Sequence, residues 1–198
     1  MFKKLCLVVL GLGFAVNACA GEIKKLPNPD KSSSLLKIMN DRNSAREYNS
    51  KDVELQTLSE ILWSAYGINE RGTRTIPTAR NLQNLNVYVV YQNAVWKYKA
   101  ENNELEKVLE SDKDVMPYLA KQDFVKDAPV NLIYTGSDEV YSSFHAGSSA
   151  QNVYLYATDK GLNTIVRGLI DKDELKNKLR LEMDEFVIIN QVIGYPKG

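Results

Sequence analysis

Asn86-Val87-Tyr88-Val89-Val90-Tyr91-Gln92-Asn93-Ala94-Val95-Trp96-Lys97-Tyr98 is the stretch from which the fold is read. Val87, Val89 and Tyr91 alternate along the first run, and Val95, Trp96 and Tyr98 carry a second run beyond the polar pair Gln92-Asn93. This spacing predicts a hairpin. Upstream, Leu55, Leu58, Ile61, Leu62 and Ala65 recur every three or four residues, marking an amphipathic helix that ends near Gly67. Downstream, 129–135 reads as a buried strand and 144–160 as a long helix stopped by Gly161. Asp171 and Glu174 form a capping-box-like pair ahead of Leu175 and Leu179, and 185–192 reads as a last apolar strand. The acidic, Lys-rich stretch 101–114 is expected to be a solvated excursion. Helices and strands interleave without a regular βαβ period, so the class is α+β, a mixed sheet with helices packed on it.

Composition sets the outer limits. The chain has 198 residues, 44% of them apolar, with 25 Lys plus Arg against 25 Asp plus Glu, one His and two Cys. That suits one soluble domain needing no disulfide or metal staple. Zero net charge without a basic run gives no footprint for nucleic acid, and no Cys/His spacing suits zinc.

The first twenty residues read as a signal peptide. Lys3 and Lys4 precede an apolar run over 5–16, followed by Asn17-Ala18-Cys19-Ala20. The run falls short of the roughly 20 residues that span a bilayer. Ala18 and Ala20 frame a cleavage site that would release a soluble protein, whereas Val16-Asn17-Ala18-Cys19 is similar to a lipobox that would leave an acylated Cys19. Either route predicts export to a bacterial envelope, periplasmic or lipid-anchored, and contact with membrane only through Cys19. An extended arm is expected over 21–34, ahead of a domain at 35–198.

The lone His145 has no Cys or acidic partner at motif spacing and reads as structural. No G-x-S-x-G elbow or phosphate loop is present. Arg42-Asn43-Ser44-Ala45-Arg46, after a short helix around Leu35 to Met39, places two guanidinium groups and a hydroxyl within five residues, a set that can wrap a phosphate.

Taken in order, Arg42 to Tyr48, Pro77-Thr78-Ala79-Arg80-Asn81-Leu82-Gln83, Gly147-Ser148-Ser149-Ala150-Gln151-Asn152, Gly161-Leu162-Asn163-Thr164 and Gly194-Tyr195-Pro196 resemble the motif series of the FMN-dependent nitroreductase family. The resemblance spans 35–198. It implies a mostly antiparallel sheet flanked by helices, in an intertwined homodimer with FMN at the subunit interface. By matched position, Arg42, Ser44 and Arg46 would hold the phosphate and ribityl chain, with Asn43 beside them. Pro77, Thr78, Ala79, Asn81 and Gln83 belong to the loop that would approach the flavin from the partner chain. Val166, Arg167 and Gly168 would present backbone groups to the ring edge, and Lys197 would be the late basic residue for the phosphate. Asn43 stands where the family has a second Arg, and Tyr48 where it has Phe.

The activity implied is ping-pong transfer of hydride or electrons through a noncovalent flavin, with NAD(P)H as a donor and a nitro compound, quinone or similar small molecule as acceptor. Two other outcomes stay open: an oxidase of the azoline-oxidising kind, and a noncatalytic flavin binder. No side-chain catalyst is required, because the cofactor carries the chemistry.

Overall fold

The computed structural model describes residues 24–198, so the signal segment and Cys19 lie outside the described residues. Residues 24–30 fall outside the main unit at 31–198 and are exposed, without helix or strand. The main unit contains α1 (Ser34–Asp41), α2 (Leu55–Tyr66), β1 (Leu85–Tyr91), β2 (Ala94–Lys99), β3 (Glu104–Leu109), α3 (Met116–Leu119), β4 (Val130–Gly136), α4 (Tyr141–Asp159), β5 (Asn163–Arg167), α5 (Lys172–Leu179) and β6 (Phe186–Gly194).

The strands form one sheet in the order β3-β2-β1-β4-β6-β5. Every pairing among the described residues is antiparallel. The connection from β4 through α4 leads to a strand parallel to β4, but β6 inserts between the two and runs against both. The interleaving of helices and strands suggested a mixed sheet, and this insertion is why no parallel pair forms among the described residues.

The alternation in β1 sorts the two faces. Leu85, Val87, Val89 and Tyr91 pack with Leu58, Ile61, Leu62 and Ala65 of α2 and with Ala146, Ala150, Val153 and Ala157 of α4. Tyr88 and Val90 point the other way, toward Val115, Leu119 of α3 and Leu175, Leu179 of α5. The central strands are covered on both sides, which is why β4 is buried along its whole length. The small residues of α4 let it lie close to the sheet, and Asn152 Nδ2 ties it to the carbonyls of Ser64 (3.1 Å) and Thr75 (3.2 Å).

Caps fall where the sequence places them. Asp171 accepts from the Glu174 N–H at 3.2 Å and opens α5, while Gly161 at φ +67° ends α4 with the Leu162 N–H returning to the Ala157 carbonyl at 2.8 Å. Part of the expected solvated excursion is instead β3. Its charges are those of a guarded edge strand, with a cross-strand Lys99–Glu106 pair at 3.3 Å.

Candidate active site

After α1 the chain runs alongside β5. The Ala45 N–H donates to the Thr164 carbonyl (3.1 Å), Asn163 Nδ2 to the Glu47 carbonyl (2.7 Å) and the Asn49 N–H to the Tyr195 carbonyl (3.0 Å). Tyr48 is buried and anchors the segment through its hydroxyl, which donates to the Ala45 carbonyl at 2.8 Å. Gly194 is needed beside it: a Cβ there would come within 2.6 Å of Pro129 and 3.0 Å of the Tyr48 ring.

This docking gathers Arg42, Ser44 and Val166 around a residue that the motifs do not single out, Tyr154 of α4. Its hydroxyl accepts the Val166 N–H at 3.0 Å and shares a 2.8 Å hydrogen bond with Ser44 Oγ. The Arg42 guanidinium lies 5.2 Å from the ring centre. Asn43 and Arg46 are exposed on the same segment, and neither Arg42 nor Arg46 has an ion pair among the described residues. Gly168 is exposed, with open space where a Cβ would be. The periodicity of α4 marks Tyr154 as a helix residue but says nothing of its partners.

One expected contribution takes a different form. The Val166 N–H is engaged by Tyr154, so it is not a free donor. The Arg167 side chain faces the opposite side of β5, only 4% exposed, and donates to Asn190 Oδ1 (2.7 Å), Gln122 Oε1 (3.1 Å) and the carbonyls of Leu119 and Leu169 (3.0 Å each). Strand alternation dictates this, because Val166 already points to α4. Burial pulls the Arg167 pKa below its ordinary value, opposed by the neighbouring Tyr48. Lys197 is exposed and pairs with Asp127 at 3.3 Å.

The Pro77–Gln83 loop is a separate assembly. Pro77, Asn81 and Gln83 are exposed, Thr78 and Ala79 half-buried. Arg80, Asn81 and Gln83 all adopt left-handed backbone, at φ 52°, 54° and 46°. Such conformations cost side-chain-bearing residues of order 1–3 kcal/mol each and cluster at functional sites. The loop is pinned by His145: the Ala79 N–H donates to Nε2 at 2.8 Å, so Nδ1 carries the proton and donates to Asn84 Oδ1 at 3.0 Å. Burial lowers the His145 pKa, partly opposed by Asp138.

His145 and Tyr154 are nine residues apart on α4, which at 1.5 Å and 100° per residue is about 13 Å along the axis and half a turn around it. The loop and the Arg42 segment therefore lie on opposite flanks of the same helix. The structure joins Arg42 and Ser44 to Val166, and it keeps Thr78 to Gln83 away from them within one chain.

Residues 39–195 match the nitroreductase family. The chain belongs to the nitroreductase family. It is 32% identical to a nitroreductase-like protein of Methanocaldococcus jannaschii, over 88% of this chain and 98% of that one. A nitroreductase-like crystal structure from Ralstonia eutropha superposes with a TM-score of 0.76 at 31% identity, covering 87% of this chain and 89% of the other. A chain of the Escherichia coli microcin synthetase complex shares the fold, with a TM-score of 0.67 at 16% identity over 89% of this chain and 76% of that one. As a nitroreductase-family protein the chain is an oxidoreductase of the flavin-using type.

Proposed function

We propose that this nitroreductase-family protein is an exported, FMN-dependent oxidoreductase that works as a homodimer and moves electrons from a small donor such as NAD(P)H to a small nitro or quinone-like acceptor. The observation that carries the reading is the segment Arg42 to Arg46, held against β5 with Arg42 and Ser44 gathered at Tyr154, in which neither arginine has a salt bridge to a carboxylate among the described residues. Its donor set matches a dianionic phosphomonoester, for which guanidinium groups supply paired donors and a hydroxyl adds a third. The open space at Gly168 leaves room for a planar ring beside β5. These residues fit the group.

In the proposed site Arg42, Ser44 and Arg46 bind the phosphate end, while the end of β5 orients and shields the ring edge. Bound flavin supplies two-electron redox chemistry. The loop 77–83, on the far flank of α4, would meet the cofactor of the partner chain. That division explains why one chain carries both sets of residues yet holds them apart. Donor and acceptor then use one pocket in turn. Export through the N-terminal segment, ending at Ala20 or at an acylated Cys19, belongs to the same proposal.

The test is titration of the purified, flavin-free protein with FMN, followed by NADH or NADPH without oxygen. Saturable FMN binding and bleaching of the yellow colour are expected, with parallel double-reciprocal lines when donor and acceptor are varied. A protein that binds no FMN overturns the cofactor assignment, and one that binds FMN but is reduced by neither nucleotide overturns the donor assignment.

A further inference from the structure

Arg74 lies outside every motif that marks the site, yet it is hydrogen-bonded directly to the loop. Its guanidinium sits 4.4 Å from the Tyr66 ring centre and donates to the Tyr66 carbonyl (3.3 Å), to Glu101 Oε1 (2.8 Å) and, through Nε, to Gln83 Oε1 (3.0 Å). An amide has nearly the same shape with its oxygen and nitrogen exchanged, so shape alone does not orient Gln83 or Asn81. Arginine breaks the symmetry, because it has five N–H donors and no acceptor. Gln83 must turn its oxygen to Arg74, which sends its nitrogen the other way, where Nε2 donates to Asn81 Oδ1 at 2.9 Å. With that oxygen engaged, Asn81 is left with Nδ2 as its outward group.

We propose that Arg74 is a positioning residue that fixes the polarity of the 77–83 loop, so that Asn81 offers a hydrogen-bond donor, and not an acceptor, to the ligand it meets. The identity of that ligand rests on the flavin reading above. The relay itself is contained in the protein. It is tied at its outer end to Glu101, just beyond β2, and its inner member Gln83 sits in left-handed backbone at φ 46°. A donor at this position selects for electron-rich carbonyl oxygens or ring nitrogens, and it favours the reduced form of a flavin because reduction adds electron density to those atoms.

Gln83→Glu is the discriminating variant. A carboxylate accepts from Arg74 with one oxygen and presents another acceptor to Asn81, which must then turn Nδ2 inward and Oδ1 outward. In the flavin-free protein, side-chain amide hydrogen exchange followed by NMR should show Gln83 Nε2 protected and Asn81 Nδ2 exposed in the wild type, and Asn81 Nδ2 protected in Gln83→Glu. In the holoprotein the ratio of reduced to oxidised FMN affinity should fall roughly tenfold, the size of one hydrogen bond. The fall should vanish when Asn81→Ala is combined with it, which separates the relay from the added charge. Arg74→Lys, still a pure donor, should retain the wild-type exchange pattern, whereas Arg74→Met should lose protection at Gln83.

Unchanged Asn81 exchange in Gln83→Glu, or an equal affinity shift in the Asn81→Ala background, overturns the proposal. Failure of the wild type to bind FMN would instead overturn the functional reading, with the exchange measurement still deciding the relay.

Discussion

Arg46 and Arg167 show how differently one side chain is used in two places. Arg46 is exposed without an ion pair among the described residues, so its charge is available to a ligand. Arg46→Glu replaces a charge-assisted pair worth about 1.5–3 kcal/mol, and FMN affinity should fall at least about 10- to 100-fold, while the melting temperature of the flavin-free protein stays near wild type. Fluorescence titration measures the first and a thermal scan the second; unchanged FMN affinity would remove Arg46 from the phosphate site. Arg167 is the reverse case. Its guanidinium satisfies four acceptors, two of them backbone carbonyls. Orphaning buried acceptors costs about 1–3 kcal/mol each, partly offset by relief of a desolvated charge. Arg167→Met should lose about 2 kcal/mol of stability in urea with little change in FMN affinity. The sequence placed both arginines in the site region, but only strand alternation in the folded chain separates the one that faces out from the one that faces in.

The loop between α2 and β1 and the helix α4 form a pH-sensitive pair. His145 must be neutral to accept the Ala79 N–H, and burial holds its pKa below the ordinary 6.5. The unfolded chain therefore takes up the proton first as pH falls. The stabilisation is complete above about pH 6.5 and is lost progressively as pH drops toward the folded-state pKa. Since His145 is the only histidine, the urea midpoint should decline as pH falls below the ordinary histidine pKa of about 6.5 in the wild type and stay flatter in His145→Asn, with the Ala79 amide losing hydrogen-exchange protection over the same range. Equal pH profiles for the two proteins would show that His145 does not pin the loop. The elements that announce themselves by pattern, α2, the β1–β2 hairpin, α4 and the capped α5, were legible in the sequence. β3 was not, because its exposed edge carries Glu104, Glu106 and Lys107 where a buried strand would carry apolar residues. β5 is too short to show a period beside the Gly161 turn, and the left-handed run at Arg80, Asn81 and Gln83 contains no glycine to betray it. Motif order pointed to the two halves of the candidate site, but Tyr154 and Arg74 join their neighbours through contacts between residues distant in sequence.

The two halves bear on the whole molecule through α4, which separates them by half a turn and about 13 Å along its axis. A cofactor that needs both halves is completed only by a second chain. Supporting this, α1 has no buried residue although Leu35, Leu36, Ile38 and Met39 give it an apolar stripe, and Leu36 and Met39, one turn apart, are 38% and 45% exposed. A helix this short is marginal alone and draws most of its stability from packing, so the uncovered stripe is explained if a second copy covers it. Val140 and Phe144, 73% and 58% exposed at the start of α4, extend the apolar surface near the loop flank. The expected state is a homodimer, with no stable monomer at working concentrations by sedimentation velocity. Leu36→Asp combined with Met39→Asp should shift the population to monomer. Because neither residue is in the core, the secondary structure of the main unit should persist by circular dichroism, yet FMN affinity should fall together with dimer content and recover as protein concentration rises. A monomer that retains its flavin would show that one chain closes the site by itself, and the separation across α4 would then need another explanation.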